Sequence, residues 1–323
     1  MRKLTMAEAL REALVEEMAR DPRVFVIGED LRAGVPFGVT RDLAAKFGED
    51  RVLDTPISEA AIIGASLGAA ITGLRPVADM HFADFVTCAM DEVVNQIAKV
   101  RYMFGGQVEV PLVLRMPTGN VKGAAAHHSQ SLEAWFTHTP GLRVVFPSTP
   151  ADAKGLLKTC IRGLDPVLFF EHKRLYRLSG EVPEEEFLIP LGQAAVRREG
   201  RDVTVLATGW MVHPALEAAE VLGRDGVSAE VIDPRCLAPF DKGTLFASVR
   251  KTHRAVIVEE APKTGAFGAQ IAAWLAEELF DELDAPVARV AGRDVPMPFS
   301  PPMEEFVIPG VREVVAAVRK LLD

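Results

Sequence analysis

The sequence predicts a two-domain α/β protein, each domain carrying a mostly parallel sheet with helices on both faces. Three observations lead there. Short apolar runs alternate with helical patterns along the chain, which is the signature of βαβ units. That alternation is interrupted once, at Ser179-Gly180-Glu181-Val182-Pro183-Glu184-Glu185-Glu186, where acidic residues with Gly and Pro read as a linker. The length of 323 residues leaves room for roughly two domains of ~150 residues. The expected boundaries are 1–178, a linker 179–190, and 191–323.

Thr5-Met6-Ala7-Glu8 is a capping box that opens a helix running to Arg20. Val24–Ile27 is a continuous apolar run ending at Gly28, as in a strand buried on both faces. Arg41–Phe47 is a short helix stopped by Gly48, and Arg51–Leu53 a short strand. Arg75–Met80 is the next strand, and Asp84–Phe104 one long helical pattern closed by Gly105-Gly106. Leu112–Leu114 is a strand leading into a Gly-rich loop, Thr118–His128. Leu132–His138 is helical, Arg143–Phe146 a strand, Ala151–Arg162 a helix and Val167–Phe170 a strand. After the linker come strands Val203–Ala207, Ser228–Ile232, Ala255–Val258 and Val287–Val290, alternating with helices Val212–Leu222, Lys242–Val249 and Phe267–Leu279. A Pro-rich crossing precedes the last helix, Val311–Leu322.

The first half turns on Asp54-Thr55-Pro56-Ile57-Ser58-Glu59. Pro56 ends what precedes it, and Ser58 is placed to cap a new helix. From Ala60 to Thr72 that helix is nearly all small or apolar, which predicts a helix buried all round. Glu59 thus falls in its first turn, where the helix dipole lowers a carboxyl pKa and desolvation raises it. A first-turn Glu also arises simply because it suits the dipole.

Composition excludes several functions. Net charge is −9, which argues against nucleic acid or an anionic membrane surface as the main partner. Cys88, Cys160 and Cys236 form no CxxC pair, so a reducing compartment, the cytoplasm, is expected. No targeting segment is seen, and Ala60–Thr72 is too short to span a bilayer. Neither G-x-G-x-x-G nor a P-loop is present. Gly64-Ala65-Ser66-Leu67-Gly68 matches the G-x-S-x-G elbow of serine hydrolases, with Asp233 and His253 in the right chain order. An elbow needs a strand entering a turn, and this match lies inside a helix, so a hydrolase using Ser66 is only a remote alternative. His127-His128 sits in a Gly/Ala-rich loop without nearby Cys or carboxylate, a poor metal site. A loop His is either a general acid or base or an ordinary surface residue. His81-Phe82-Ala83-Asp84-Phe85 follows a strand end, where α/β sheets bind ligands; its aromatics are either core or a stacking platform.

Taken together, Gly28-Glu29-Asp30, the Asp54–Glu59 string with Gly64 and Gly68, Phe82-Ala83-Asp84-Phe85, His128-Ser129-Gln130-Ser131, Pro140–Val145, Ala153–Leu157 and Val231-Ile232-Asp233-Pro234-Arg235 carry a resemblance. Over essentially its whole length the chain resembles the β subunit of the thiamine-diphosphate-dependent decarboxylating component of 2-oxo acid dehydrogenase complexes. The resemblance implies a transketolase-like pyrimidine-binding domain followed by a transketolase C-terminal-like domain. It implies that Glu59 hydrogen-bonds the aminopyrimidine of thiamine diphosphate, that Phe85 stacks on that ring, and that Ile57 lines the same pocket. Proton exchange with the ring readies the cofactor to attack a 2-oxo acid, and the cofactor is the electron sink. His128 would face the reacting centre and serve decarboxylation or acyl transfer to lipoyl, with His81 near substrate or lipoyl.

Enzymes of this kind hold the diphosphate through Mg²⁺ at a G-D-G motif, which this chain lacks. The resemblance therefore implies half an active site, with Mg²⁺ held by a partner α subunit in an α2β2 heterotetramer. The second domain would serve subunit assembly and docking of the lipoyl acyltransferase core. A potassium ion is implied near the turn Cys160–Asp165, with Leu112, Cys160 and Asp165 as ligands, although Gly163 replaces a more usual side-chain ligand. The strings His128–Ser131, Phe169-Phe170-Glu171 and Leu175-Tyr176-Arg177 favour branched-chain 2-oxo acids over pyruvate, with an acetoin-cleaving enzyme as a further alternative.

Overall fold

The computed structural model describes residues 1–323. The chain divides into two compact units, Met1–Thr118 with Trp135–Leu191, and Gly119–Ala134 with Gly192–Asp323. Position in the sequence assigns Gly119–Ala134 to the first domain; packing groups it with the second.

In the first unit the chain runs β1 (Arg2–Thr5), α1 (Met6–Arg20), β2 (Val24–Gly28), α2 (Leu43–Phe47), β3 (Val52–Asp54), α3 (Glu59–Ile71) and β4 (Arg75–Asp79). It continues through α4 (Val100–Met103), β5 (Val113–Thr118), α5 (Glu133–Thr137, whose first two residues belong to the second unit), β6 (Arg143–Val145), α6 (Pro150–Arg162), β7 (Val167–His172) and β8 (Ser179–Val182). The sheet order is β6-β7-β5-β4-β2-β3, and the pairings are parallel. β2, β5 and β7 are buried at every position; β2 is apolar throughout, while β5 and β7 also bury Arg115, Glu171 and His172. The expected capping box forms: Thr5 N and Thr5 Oγ1 both donate to Glu8 Oε2, at 2.8 and 2.7 Å, and Glu8 N donates back to Thr5 Oγ1. Met6, Ala9, Leu10, Ala13 and Leu14 repeat at helical spacing and are sealed in the core. Full burial of each such leucine contributes ~1.5–3 kcal/mol.

Three expectations change here. Ser179–Val182 is a strand, paired antiparallel with Arg2–Thr5; its acidic and Gly residues suit an edge position. The long helix expected over 84–104 is broken into a 3-10 segment Ala83–Ala89, a π segment Asp91–Ile97 and the single turn α4. No Gly or Pro marks these changes of winding, so periodicity alone reads through them. Ser58 occupies the N-cap position of α3, but its side chain makes no capping bond.

In the second unit follow β9 (Ala195–Arg198), β10 (Val203–Ala207), α7 (Val212–Arg224), β11 (Ala229–Asp233), β12 (Cys236–Ala238), α8 (Lys242–Thr252), β13 (Ala255–Pro262), α9 (Phe267–Glu278), β14 (Ala288–Gly292), α10 (Pro301–Val307) and α11 (Val311–Leu322). The five-stranded sheet has the order β14-β13-β10-β11-β9, parallel except for the β11/β9 pair. Its core packs α7 and α11 on the sheet through Val212, Ala215, Ala219, Val314 and Val318. No helix is long and apolar enough to cross a membrane.

Candidate active site

Two turns at the C-terminal ends of neighbouring parallel strands are tied together. Asp54 Oδ1 accepts from Leu31 N at 2.8 Å, and Thr55 N donates to Gly28 O at 2.9 Å. Such strand ends are where open α/β sheets bind ligands. The bond fixes Gly28-Glu29-Asp30 against the turn that launches α3, so Glu29 and Glu59 share one edge of the sheet. Glu59 is the first residue of α3 and half-buried, and Ile57 beside it is 77% exposed.

The helix Glu59 opens is not buried all round. Ile62, Ile63, Ser66 and Ala70 face the core, whereas Ala61, Gly64, Ala65 and Ile71 face solvent. A Cβ added at Gly68 would meet nothing within 4 Å, so no neighbouring helix of this chain uses that glycine for close approach. Composition cannot separate a face buried in its own core from one that is apolar for another reason. Ser66 is sealed from solvent and its hydroxyl donates to Ile62 O at 2.7 Å, a helix back-bond. It is no nucleophile, and the hydrolase alternative is removed.

Around Glu59 the carboxylates crowd. The Glu29 carboxyl is held above its ordinary range by burial, with Glu59, Asp30 and Asp79 adding to the rise and His81 opposing it. Glu29 Oε1 lies 3.7 Å from His81 Nδ1, while its Oε2 is buried without a hydrogen-bond partner. Thr55 Oγ1 nearby in sequence is likewise buried and unpartnered. His81 takes a left-handed backbone, φ 63°, and its amide donates to Asp79 Oδ1 at 2.8 Å. A non-glycine residue in that region stores strain, which is common where a side chain must be aimed.

The aromatics form a chain. His81 meets Phe82 edge-on at 5.2 Å, Phe82 meets Phe85 at 5.7 Å and Phe37 at 5.8 Å, and Phe37 stacks on Tyr176 at 4.4 Å. Phe85 remains partly accessible. Beneath them Arg115 donates to both oxygens of Glu171 and to Asp79 Oδ2 at 2.5 Å, and Tyr176 donates to Glu171 Oε2 at 2.5 Å. A small cleft opens above this network, lined by Val35–Thr40, Asp79, His81, Arg115 and Pro117.

Sequence reasoning gave no role to Glu29, Asp79, Arg115 or Tyr176. A signal existed: Arg115 interrupts the otherwise apolar run of β5, and a charge in a strand buried on both faces needs a partner. Strand register supplies one by setting Asp79 opposite Arg115.

His128 belongs to the other unit, on a 3-10 turn Ala126–His128; His127 is exposed and His128 partly buried. Glu59, Ile57, Phe85 and His81 all lie in the first unit.

The implied potassium ligands are engaged by other groups of the chain. Asp165 binds the guanidinium of Arg101 and, at 2.9 Å, that of Arg143. Arg75 Nη1 donates to Ile161 O and Gly163 O at 2.8 Å each. Cys160 O and Leu112 O accept backbone amides from Gly163 and Val167. The chain's own arginines thus line the turn. The missed signal is that Arg75, Arg101 and Arg143 converge from distant sequence positions.

Residues 2–179 match the family model of the transketolase pyrimidine binding domain, and residues 192–314 that of the transketolase C-terminal domain. A solved structure described as a split-gene transketolase, an inactive β4 tetramer, superposes with a TM-score of 0.82 over 99% of this chain and 98% of its own, at 29% identity. The 2-oxoisovalerate dehydrogenase β subunit of Bacillus subtilis is 47% identical, with 99% of each chain covered. The β subunit of acetoin:2,6-dichlorophenolindophenol oxidoreductase from Cupriavidus necator is also 47% identical, over 99% of this chain and 98% of the other. A mitochondrial pyruvate dehydrogenase E1 component β subunit of Oryza sativa is 45% identical, over 99% and 86%. The fold and the two family models thus define a transketolase-like protein of a thiamine-diphosphate-dependent family. Within that class the chain belongs to the E1-type β subunits of the 2-oxo acid dehydrogenases.

Proposed function

We propose that this chain is the β half of a thiamine-diphosphate-dependent dehydrogenase that takes branched-chain 2-oxo acids and passes the acyl group to the lipoyl group of an acyltransferase core. The observation that carries the reading is the convergence of Glu59 with a half-buried Glu29, whose Oε2 is buried and unpartnered, at the ends of β2 and β3. An orphaned buried oxygen beside a helix-opening carboxylate fits a hydrogen-bonding aromatic ring, so the residues fit the pyrimidine end of the cofactor. When bound, thiamine diphosphate supplies the electron sink for decarboxylation.

The chain's own residues have these roles in the proposal. Glu59 holds and returns a proton at the ring nitrogen. Glu29, kept above its ordinary pKa by burial, limits the negative charge facing that ring. Phe85 offers a stacking face, Ile57 an apolar wall, and His81 a donor toward the substrate side. His128 serves acyl transfer. A partner α subunit completes an α2β2 assembly and holds Mg²⁺ and the diphosphate, since this chain has no G-D-G motif. Three free cysteines support work in the cytoplasm.

A second reading keeps the same site and changes the substrate. Identities of 47%, 47% and 45% to 2-oxoisovalerate, acetoin and pyruvate enzymes leave the three close. An aliphatic pocket separates neighbouring substrates by only ~1–3 kcal/mol per methylene. The test is cofactor-dependent turnover of the co-purified α/β enzyme with 3-methyl-2-oxobutanoate, pyruvate and acetoin. The reading expects the highest kcat/KM for 3-methyl-2-oxobutanoate; a preference for pyruvate or acetoin moves the chain to that subclass.

A further inference from the structure

The loop that carries His128 is held by two buried carboxylates of the second unit. Asn120 N donates to Glu260 Oε1 at 2.5 Å. Glu304 Oε1 accepts twice, from Asn120 Nδ2 at 3.0 Å and from Gly123 N at 2.9 Å. Glu304 is 2% exposed on α10, and Glu260 is 8% exposed on β13. The loop is closed on itself by Gly119 N donating to Gln130 O at 2.9 Å.

The backbone of this loop does not prefer its shape. Gly119, Gly123 and Ala125 all have φ between 58° and 78°. Glycine tolerates that region, but Ala125, at φ 58° and ψ −164°, is strained there, and it directly precedes the turn Ala126–His128. Strained backbone persists only where its surroundings over-determine it. Glu304 and Glu260 are the groups that do so on the N-terminal side of the turn. Glu304 reaches Gly123, two residues before the strained Ala125.

We propose that Glu304, assisted by Glu260, is a positioning residue that sets the loop conformation presenting His128. Glu304 needs to be a hydrogen-bond acceptor rather than a charge, because both its partners are neutral N–H donors. The inference rests on the acyl-transfer reading of His128 for its catalytic consequence, though not for the anchoring itself.

The test compares Glu304→Ala, Glu304→Gln and the exposed neighbour Glu305→Ala in the full chain with its partner. Two quantities are read: amide exchange of Gly123, and turnover with free lipoamide against turnover with an artificial electron acceptor. Glu304→Ala is expected to speed Gly123 exchange at least about tenfold. It should cut turnover with lipoamide about tenfold while leaving turnover with the artificial acceptor within about twofold. Glu304→Gln should restore both, and Glu305→Ala should change neither. Asn120→Ala removes one of the two donors without touching α10 and should fall between. Unchanged Gly123 exchange in Glu304→Ala overturns the proposal. Faster exchange with lipoamide turnover intact upholds the anchor and overturns instead the role given to His128.

Discussion

Arg115 and Glu171 form a two-pronged ion pair inside the first sheet, Nε to Oε1 at 2.8 Å and Nη2 to Oε2 at 2.7 Å, with side chains 1% and 0% exposed. Burial alone would lower the Arg115 pKa; Glu171 and Asp79 outweigh it and raise it well above the usual value. Arg115, held by this pair, lines the cleft together with Asp79 and His81.

Arg115→Met should destabilise the chain by about 3–5 kcal/mol, because it strands Glu171 as a buried, uncompensated carboxylate. Changing both, as Arg115→Met with Glu171→Leu, should recover most of that loss. Urea unfolding of the two variants measures it; a single variant as stable as the parent would show the pair to be unimportant.

Glu133 gives a pH signature. Burial pushes its carboxyl up to about 8, with Glu259 and Glu260 adding to the rise. In the folded chain it keeps its proton at neutral pH, whereas an unfolded Glu ionises near 4.5. A raised folded pKa contributes stability below the unfolded value and loses it as pH rises through the folded one. The expectation is falling stability between about pH 5 and 8, flattened by Glu133→Gln. Chemical denaturation at several pH values checks this, and parallel curves for parent and variant would count against a protonated Glu133.

Asp21 works in the opposite sense. Hydrogen bonds from Arg23 hold its carboxyl at about 2, against an opposing effect of burial. The lowered pKa contributes stability above the ordinary value near 3.8, lost as pH falls toward 2. Asp21→Asn should lower stability at pH 7 and remove that part of the acid transition. Acid titration followed by circular dichroism would reveal it.

Ser66→Ala should leave turnover unchanged and cost no more than about 1 kcal/mol, since the hydroxyl only back-bonds within α3. A fluorophosphonate should not label the chain; labelling abolished by Ser66→Ala would revive the hydrolase alternative.

Most of the fold was legible because strands buried on both faces leave uninterrupted apolar runs. Val24–Gly28 is an example. β1 and β8 were not legible, since their pairing links the chain's start to residue 182 and neither strand is apolar throughout. The half-exposed face of α3 was misread because Ala and Gly are equally at home in a core and at a surface. Glu59 stood out by its place at a helix start. Glu29 and Arg115 acquired meaning only once register and turns gathered them with Asp79 and His81. The Glu304–Gly123 bond joins residues 181 positions apart, which no local pattern encodes.

The central claim is that Glu59 moves a proton for the cofactor rather than merely capping α3. The direct measurement is turnover of 3-methyl-2-oxobutanoate by the assembled α/β enzyme carrying Glu59→Gln or Glu59→Ala, with assembly checked by light scattering. The account predicts normal assembly and a fall in kcat of about a hundredfold or more. Turnover equal to the parent's, in a complex of normal size, would contradict it.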